Sequence, residues 1–571
     1  MAPPHPKKLL GRAFYESLGS PKMILAPMVD RSEFAWRMLT RSFMDPASKP
    51  LLAYSPMFHA RLFRESPNYR LQHFEAIRPQ PKPPKGQNNR ESSLPPQSDA
   101  PYLDGNPSID RPLIVQFCAN DPDDLLAAAR SVEAYCDAVD LNLGCPQGIA
   151  RKGHYGAFLQ EEPELIYKLI NRLHAELSIP VTAKFRIQET KEKTLDYAKM
   201  ILSAGASFIT VHGRRREQKG HNTGLADWGY IRYLRDNLPP DTVIFANGNI
   251  LNHGDIETCL EATGADGVMS AEGNLCDPTI FSSPPAVDSG VDGSQYWRGR
   301  DGKGGYRVDF ALRRYMDILY KYVLEVPPPE RKPLFVPSAT NTTTTGANAD
   351  PDNDNSAPQS EPGIPTSSGR ENPEADDHPD GPPKKKRKRD KDPKPTSPNL
   401  VSMQGHLFQL LRPLVSKHTH IRDALARSRA GNMEAFENVV TLVEGVVREG
   451  MQEYEAFPER FEEGGDEGKQ EEATGSKATI AQYRRPWWVC QPYVRPLPEE
   501  ALQIGAMQLK KRDIVNNSNN NNGDVGVGKT EECSKTAVVG GSEAASGSGS
   551  DKENRNGSGS TGGETLVGGT G

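Results

Sequence analysis

The sequence predicts an α/β fold: a (β/α)8 barrel of the TIM type followed by a small C-terminal helical bundle, with a long disordered linker and tail. Three observations carry that prediction. Eight short β-rich runs alternate with helical patterns between residue 23 and about residue 281, and eight such units are the count that closes this barrel. The GxGxxG turn that a doubly wound dinucleotide fold needs after its first strand is missing, and LAPMVD stands there instead. Polar residues and glycines recur at the C-terminal ends of the strand candidates, where such barrels do their chemistry.

In chain order the strand candidates are 23-MILA, 51-LLAYS, 113-LIVQF, 137-DAVDLN, 181-VTAKF, 207-SFITV, 243-VIFAN and 266-DGVMS. The helical patterns between them include 33-EFAWRMLTRSF, 121-DPDDLLAAARSVEAY and 163-PELIYKLINRLHAEL. Asp121 before Pro122, and Pro163 with acids in its first turn, are helix starts. Gly205 and Gly264 are left-handed helix ends. Residues 1–20 read as an N-terminal extension and 21–304 as the barrel domain, interrupted by disordered insertions at about 79–110 and 282–304. The amphipathic stretches 305–326 and 399–452 pair as one helical domain across a disordered linker, 327–398. The acidic, then Asn/Gly/Ser-rich remainder, 453–571, reads as a mostly disordered tail.

The net charge of −6 hides segregation: residues 384–394 carry eight basic and two acidic side chains, whereas residues 453–477 carry nine acidic and three basic. Whole-chain charge therefore excludes no partner. The seven cysteines, at 118, 136, 145, 259, 276, 490 and 533, show no CxxC pair or His/Cys ligand spacing. That argues against a structural zinc or iron–sulfur site and for a reducing compartment. MAPPHPKKLL lacks the apolar run of a signal peptide, and no apolar span of about 18 residues occurs. The expectation is a soluble intracellular chain with no membrane partner.

The strand ends, read in order, give Pro27 and Met28; Gln116; Asn142, Gly144 and Cys145; Lys184 and Arg186; His212, Gly213 and Arg214; Asn247, Gly248 and Asn249; and Ala271, Glu272 and Gly273. Singly, a lysine ending a strand is more often a solvated rim charge, and a cysteine in a tight turn is often inert packing. Seven rim positions populated in register are hard to explain as scaffold. NGN after strand seven and AEG after strand eight offer backbone N–H groups with little side-chain bulk, where barrels commonly bind phosphate. Lys184 could then reach the ring of a phosphate-bearing cofactor; beside a flavin, such a cation stabilises the anionic reduced form.

The segment VDLNLGCPQGIARKGHYGA at 139–157 resembles the signature of the tRNA-dihydrouridine synthases. APM at 26–28, KFRI at 184–187, VHGRRREQKG at 211–220, GLADW at 224–228, NGNI at 247–250 and MSAEGN at 269–274 follow in that family's order. The GCPQ…HYGAFL form and SAEGN are similar to the eukaryotic branch acting on uridines 16 and 17 of the tRNA D-loop. The resemblance implies an FMN-binding barrel with NADPH as reductant. It implies hydride transfer from reduced FMN to uracil C6 and proton donation to C5 by Cys145. A thiol is mostly protonated at neutral pH, which suits a general acid. Carried over by position, Ala26, Pro27, Met28 and Gln116 contact the flavin ring. Lys184 and His212 contact the ring and ribityl side. Asn247, Gly248, Asn249, Ala271 and Glu272 hold the phosphate, and Asn142 and Arg186 meet the substrate.

Arg422, Arg427 and Arg429 lie on an otherwise amphipathic stretch. Beside such a barrel they are expected to contact the tRNA backbone rather than form a merely solvated face. The basic run Lys384–Arg389 reads either as a solvated linker or, the favoured reading, as a nuclear-localisation signal for an import receptor, so nucleus, cytoplasm or both are expected. The competing functions are a small-molecule flavin reductase and an RNA-binding protein with a vestigial barrel. The extra helical domain argues against the first. The intact set of Cys145, Lys184, His212 and both phosphate loops argues against the second.

Overall fold

The computed structural model describes residues 8–78, 100–286, 293–337, 397–462 and 475–505. Every strand candidate forms a strand: β1 (Met23–Leu25), β2 (Leu52–His59), β3 (Leu113–Cys118), β4 (Ala138–Leu143), β5 (Val181–Arg186), β6 (Ile209–His212), β7 (Ile244–Asn247) and β8 (Gly267–Ser270). They pair in parallel in chain order and close into a barrel, with Ile24 of β1 opposite Met269 of β8.

Period-two alternation decides which residues face the axis. On β5, Val181, Ala183 and Phe185 pack in the layer between sheet and helices, so Thr182, Lys184 and Arg186 point inward. The same rule turns Gln116 of β3, Asp140 and Asn142 of β4, His212 of β6 and Asn247 of β7 toward the axis. The outer layer is built by amphipathic helices. Pro163–Glu176 buries Ile166, Leu169, Ile170 and Leu173, the one-face spacing of a helix, each contributing roughly 1.5–3 kcal/mol. Asp121 accepts from the N–H groups of Asp123 and Asp124 at the start of Pro122–Arg130. Gly264, at φ +65°, ends Gly254–Thr263 in the left-handed conformation.

Five sequence-based boundaries change. Within the expected N-terminal extension, helix Gly11–Ser17 closes the barrel floor: Phe14 stacks on Phe208 at 5.8 Å, and the Tyr15 hydroxyl donates to Asp266 O at 3.0 Å. Seven residues show too little periodicity to be read as a helix. The end of the 79–110 insertion is ordered, because Arg37 needs it: the buried Asp104 and Asp110 carboxylates clasp its guanidinium. The insertion at 282–304 contributes to a hairpin of Tyr296–Arg298 and Gly304–Tyr306. In the expected tail, residues 475–505 are packed, with Trp488, Val489 and Cys490 buried. The linker's first residues also dock, through Arg331 on Asp317 and Glu437. The run Lys384–Arg389 lies outside the described residues.

The helical domain comprises Val308–Ile318, continued by a wider turn over Leu319–Leu324, then Pro398–Leu410, Arg412–Lys417, Thr419–Arg427 and Met433–Ala456. Its core runs without a break into the barrel's outer layer. At the seam, Trp36 stacks on His406 with ring centroids 4.0 Å apart, and His406 Nε2 meets Glu33 Oε1 at 2.5 Å. Asn399 accepts from Ala35 N at 2.7 Å and donates to Glu75 Oε2 at 2.9 Å. Among the described residues no helix is long and apolar enough to cross a membrane, and no group of three or more His, Cys, Asp or Glu could hold a metal ion.

Candidate active site

β4 ends at the loop that carries Cys145. Asn142 Oδ1 accepts from the N–H groups of Gly144 (3.1 Å) and Cys145 (2.9 Å), turning the chain across the strand end. Cys145 O accepts from Ala157 N at 3.1 Å, so the second half of the motif folds back on the first. Gly156, at φ +67°, makes that approach possible, since a Cβ there would come within 2.9 Å of Cys145 O and 3.0 Å of Cys145 Cβ. Arg186 Nε donates to Gly144 O at 2.8 Å, and Lys219 Nζ to Pro146 O at 2.5 Å. The thiol is held half-buried, against Cys118, Ala150 and Tyr155.

Beneath the loop a buried polar chain crosses three strands. Thr182 Oγ1 donates to Asp140 Oδ1 (2.6 Å), Gln116 Nε2 to Asp140 Oδ2 (2.8 Å), and Asn142 Nδ2 to Gln116 Oε1 (2.8 Å). Burial pushes the Asp140 carboxyl up to about 6, opposed by the hydroxyl and amide that donate to it and by Lys184. Burial, reinforced by Arg186, brings the Lys184 ammonium down to about 8; Nζ donates to Asn247 Oδ1 at 3.0 Å. His212 is pushed well below its ordinary value, first by burial, then by Arg186, Lys184 and Arg214. Arg214 Nη1 lies 3.1 Å from His212 Nε2. A guanidinium can only donate, so Nε2 accepts and the neutral ring carries its proton on Nδ1.

The loops after β7 and β8 line a cavity of about 540 Å³, within the range of small-molecule sites. Gly248 sits at φ +112°, where a Cβ would come within 2.6 Å of Ala226 Cβ; at Gly273 one would come within 2.3 Å of Ile250 O. Asn249, also left-handed at φ +62°, locks its loop by pairing its amide with the N–H and carbonyl of Ala226 and accepting from Arg214. Ala271 and Glu272 open a short helical turn whose first N–H groups have no intrahelical partner. Bulk-free backbone donors beside cationic side chains fit a phosphate, and inward Lys184 and neutral His212 fit a ring beside it.

Ala26, Pro27 and Met28 lie at the end of β1, Ala26 N donating to Ser270 O at 3.0 Å. The structure therefore brings the expected barrel residues to one end of the barrel, with two changes of part. The Glu272 carboxylate is forked on Arg495 (2.6 and 3.1 Å), leaving only its backbone to face an anion. Arg186 spends Nε and Nη1 on the carbonyls of Gly144, Arg215 and Gln218, tying loops together rather than reaching out freely. Arg422, Arg427 and Arg429 lie apart on the helical domain: Arg422 pairs with Asp423, and Arg429 turns back to Ala426 O. Sequence reasoning missed Asp140, Gly156 and residues 493–497, which line the cavity. Asp140 and Gly156 stood in the quoted signature without a role assigned to them, whereas residues 493–497 become visible only in three dimensions.

The family model described as dihydrouridine synthase matches residues 24–322, more than half of the chain. The chain is 40% identical over 496 residues to a tRNA-dihydrouridine(16/17) synthase of Saccharomyces cerevisiae, covering 86% of this chain and 88% of that one. It is 40% identical over 493 residues to the protein of that name in Schizosaccharomyces pombe, covering 86% and 92%. A tRNA-dihydrouridine(16/17) synthase-like protein of Mus musculus is 45% identical over 282 residues, 49% of this chain and 52% of the mouse protein. The barrel, the thiol loop and the length of these matches agree: the chain belongs to the dihydrouridine synthase family.

Proposed function

We propose that this chain reduces uridines 16 and 17 of the tRNA D-loop to 5,6-dihydrouridine, using FMN as flavin and NADPH as reductant. The names of the fungal relatives, matched over 86% of this chain, support the substrate and a nicotinamide reductant. The observation that carries the mechanism is the half-buried Cys145 thiol, held by its loop at the end of the barrel that also gathers Lys184, His212 and the glycine-lined cavity.

FMN, when bound, would supply the hydride that adds at uracil C6. Lys184 and His212 would hold its ring, Ala26, Pro27, Met28 and Gln116 would flank it, and Asn247, Gly248, Asn249, Ala271 and Glu272 would hold its phosphate, Glu272 through its backbone. Cys145 would give its proton to C5 as the double bond is lost, and the thiolate left behind would recover a proton from water. Asn142 fixes the thiol's position through two backbone bonds, and its second amide N–H remains for the uracil edge. The base must leave its stack to arrive there. Arg422, Arg427 and Arg429 would hold the tRNA backbone. The run Lys384–Arg389 would carry the protein into the nucleus; replacing it with neutral residues should shift the protein toward the cytoplasm, and unchanged nuclear accumulation would refute that reading.

The test is direct. Unmodified tRNA incubated with the protein, FMN and NADPH should gain dihydrouridine at positions 16 and 17, and an unmodified D-loop after complete incubation would overturn the proposal.

A further inference from the structure

Residues 475–505 roof the cavity, and they carry an inference that rests on the flavin reading above. Their anchor is Trp488, Val489 and Cys490, where Val308 N donates to Trp488 O (2.9 Å) and Cys490 N to Tyr306 O (2.8 Å). Trp487 and Trp488 close on Gly450, where a Cβ would come within 2.5 Å of the Trp487 ring. From this anchor the chain crosses the cavity as residues 493–497 and lands as helix Pro498–Gln503 against the turn Gly220–Asn222 of the loop after β6. Glu500 ties the two ends of the segment together, accepting from Ser476 N and Leu497 N at 2.9 Å each.

The segment braces both phosphate loops, one of them directly and the other through Asp255. Tyr483 donates its hydroxyl to Asp255 Oδ1 at 2.9 Å, while Asp255 Oδ2 accepts from Leu251 N (2.7 Å) and Asn252 N (3.0 Å), directly after the NGN loop. Arg495 forks onto Glu272, the middle residue of the AEG loop. A direct contact on the AEG loop, and one on the helix carboxylate that holds the residues following the NGN loop, are together more than packing of a tail requires. The geometry points to a cover: residues 475–505 close over the phosphate end of the bound flavin, latched by Tyr483 and Arg495, and the cofactor exchanges when the latch opens. Because the strap is rooted in the helical domain, that domain also controls how firmly the cover sits.

The full-length protein loaded with FMN tests this through the rate at which flavin fluorescence appears on dilution. Arg495→Ala should speed release about fivefold, the scale of one partly exposed but forked ion pair. Glu272→Gln separates a latch from simple charge attraction. It removes a negative charge beside the phosphate, so attraction alone predicts slower release, whereas a broken latch predicts faster release. Tyr483→Phe, which acts at the other loop, should also speed release. Faster release in all three variants supports the cover. Unchanged release in Arg495→Ala and Tyr483→Phe, or slower release in Glu272→Gln, overturns it while leaving the flavin reading intact. A parent protein that holds no FMN overturns both.

Discussion

Cys145 and Gly156 stand eleven positions apart in the chain, yet the structure brings them into contact. That contact explains why the motif needs a glycine before Ala157: the left-handed φ and the proximity of the Cys145 backbone both exclude a side chain. Gly156→Ala should keep the fold at a cost of about 1–3 kcal/mol and still bind FMN, but shift the thiol and slow uridine reduction about tenfold or more. Turnover at the parent rate would show that the loop tolerates the methyl group. Lys184 carries a pH prediction. With its ammonium brought down to about 8, the charge beside the ring is present below that pH and lost above it. Uridine reduction should therefore fall as pH rises through about 8, and Lys184→Met, slower throughout, should lack that step. A profile flat across pH 7–9 in the parent would contradict it. The sign for stability is opposite: the unfolded lysine holds its proton to higher pH, so the cost of burying this group is full below about 8 and is relieved as pH rises toward 10.5.

Elements differ in how openly the sequence declares them. The strands were legible because each carries a compact apolar run, and their order placed Lys184, His212 and Asn247 at the strand ends; that these side chains face the axis came from the burial of their neighbours. The floor helix Gly11–Ser17 was not legible, since its few apolar residues form no repeating stripe and gain meaning only under an open barrel. The Asp104 and Asp110 segment looked like loop because its order comes from an arginine on a distant helix. Helix Thr419–Arg427 was legible as an amphipathic element, but its charges are not equivalent: Arg422 is partly neutralised by Asp423, whereas Arg427 makes no ion pair among the described residues. Neutralising Arg422, Arg427 and Arg429 together should weaken tRNA binding and flatten its salt dependence by about two units, rather than the three that equal contacts would give. Binding as tight as the parent's across a salt series would remove this face from the tRNA surface.

On the scale of the whole molecule, barrel and helical domain share one core. From sequence, a chain cut before residue 399 is expected to keep a folded, yellow barrel. The structure predicts otherwise. The cut removes His406 from the face of Trp36 and the partner of Glu33. It also removes the cavity roof, exposing apolar surface and leaving polar groups without their partners. That truncated chain should aggregate or melt well below the parent. A soluble truncated chain with the parent's flavin content and melting temperature would refute the shared core. The proposed reaction joins these levels: the flavin's hydride reduces uridine only when the Cys145 thiol that the barrel presents supplies the accompanying proton. Cys145→Ala separates the two halves. The measurement is FMN content, NADPH-driven flavin reduction and dihydrouridine formation on tRNA in one preparation of that variant. The account predicts parent-like flavin content and flavin reduction, with dihydrouridine formation reduced by about 100-fold or more. Dihydrouridine formed at the parent rate would contradict it.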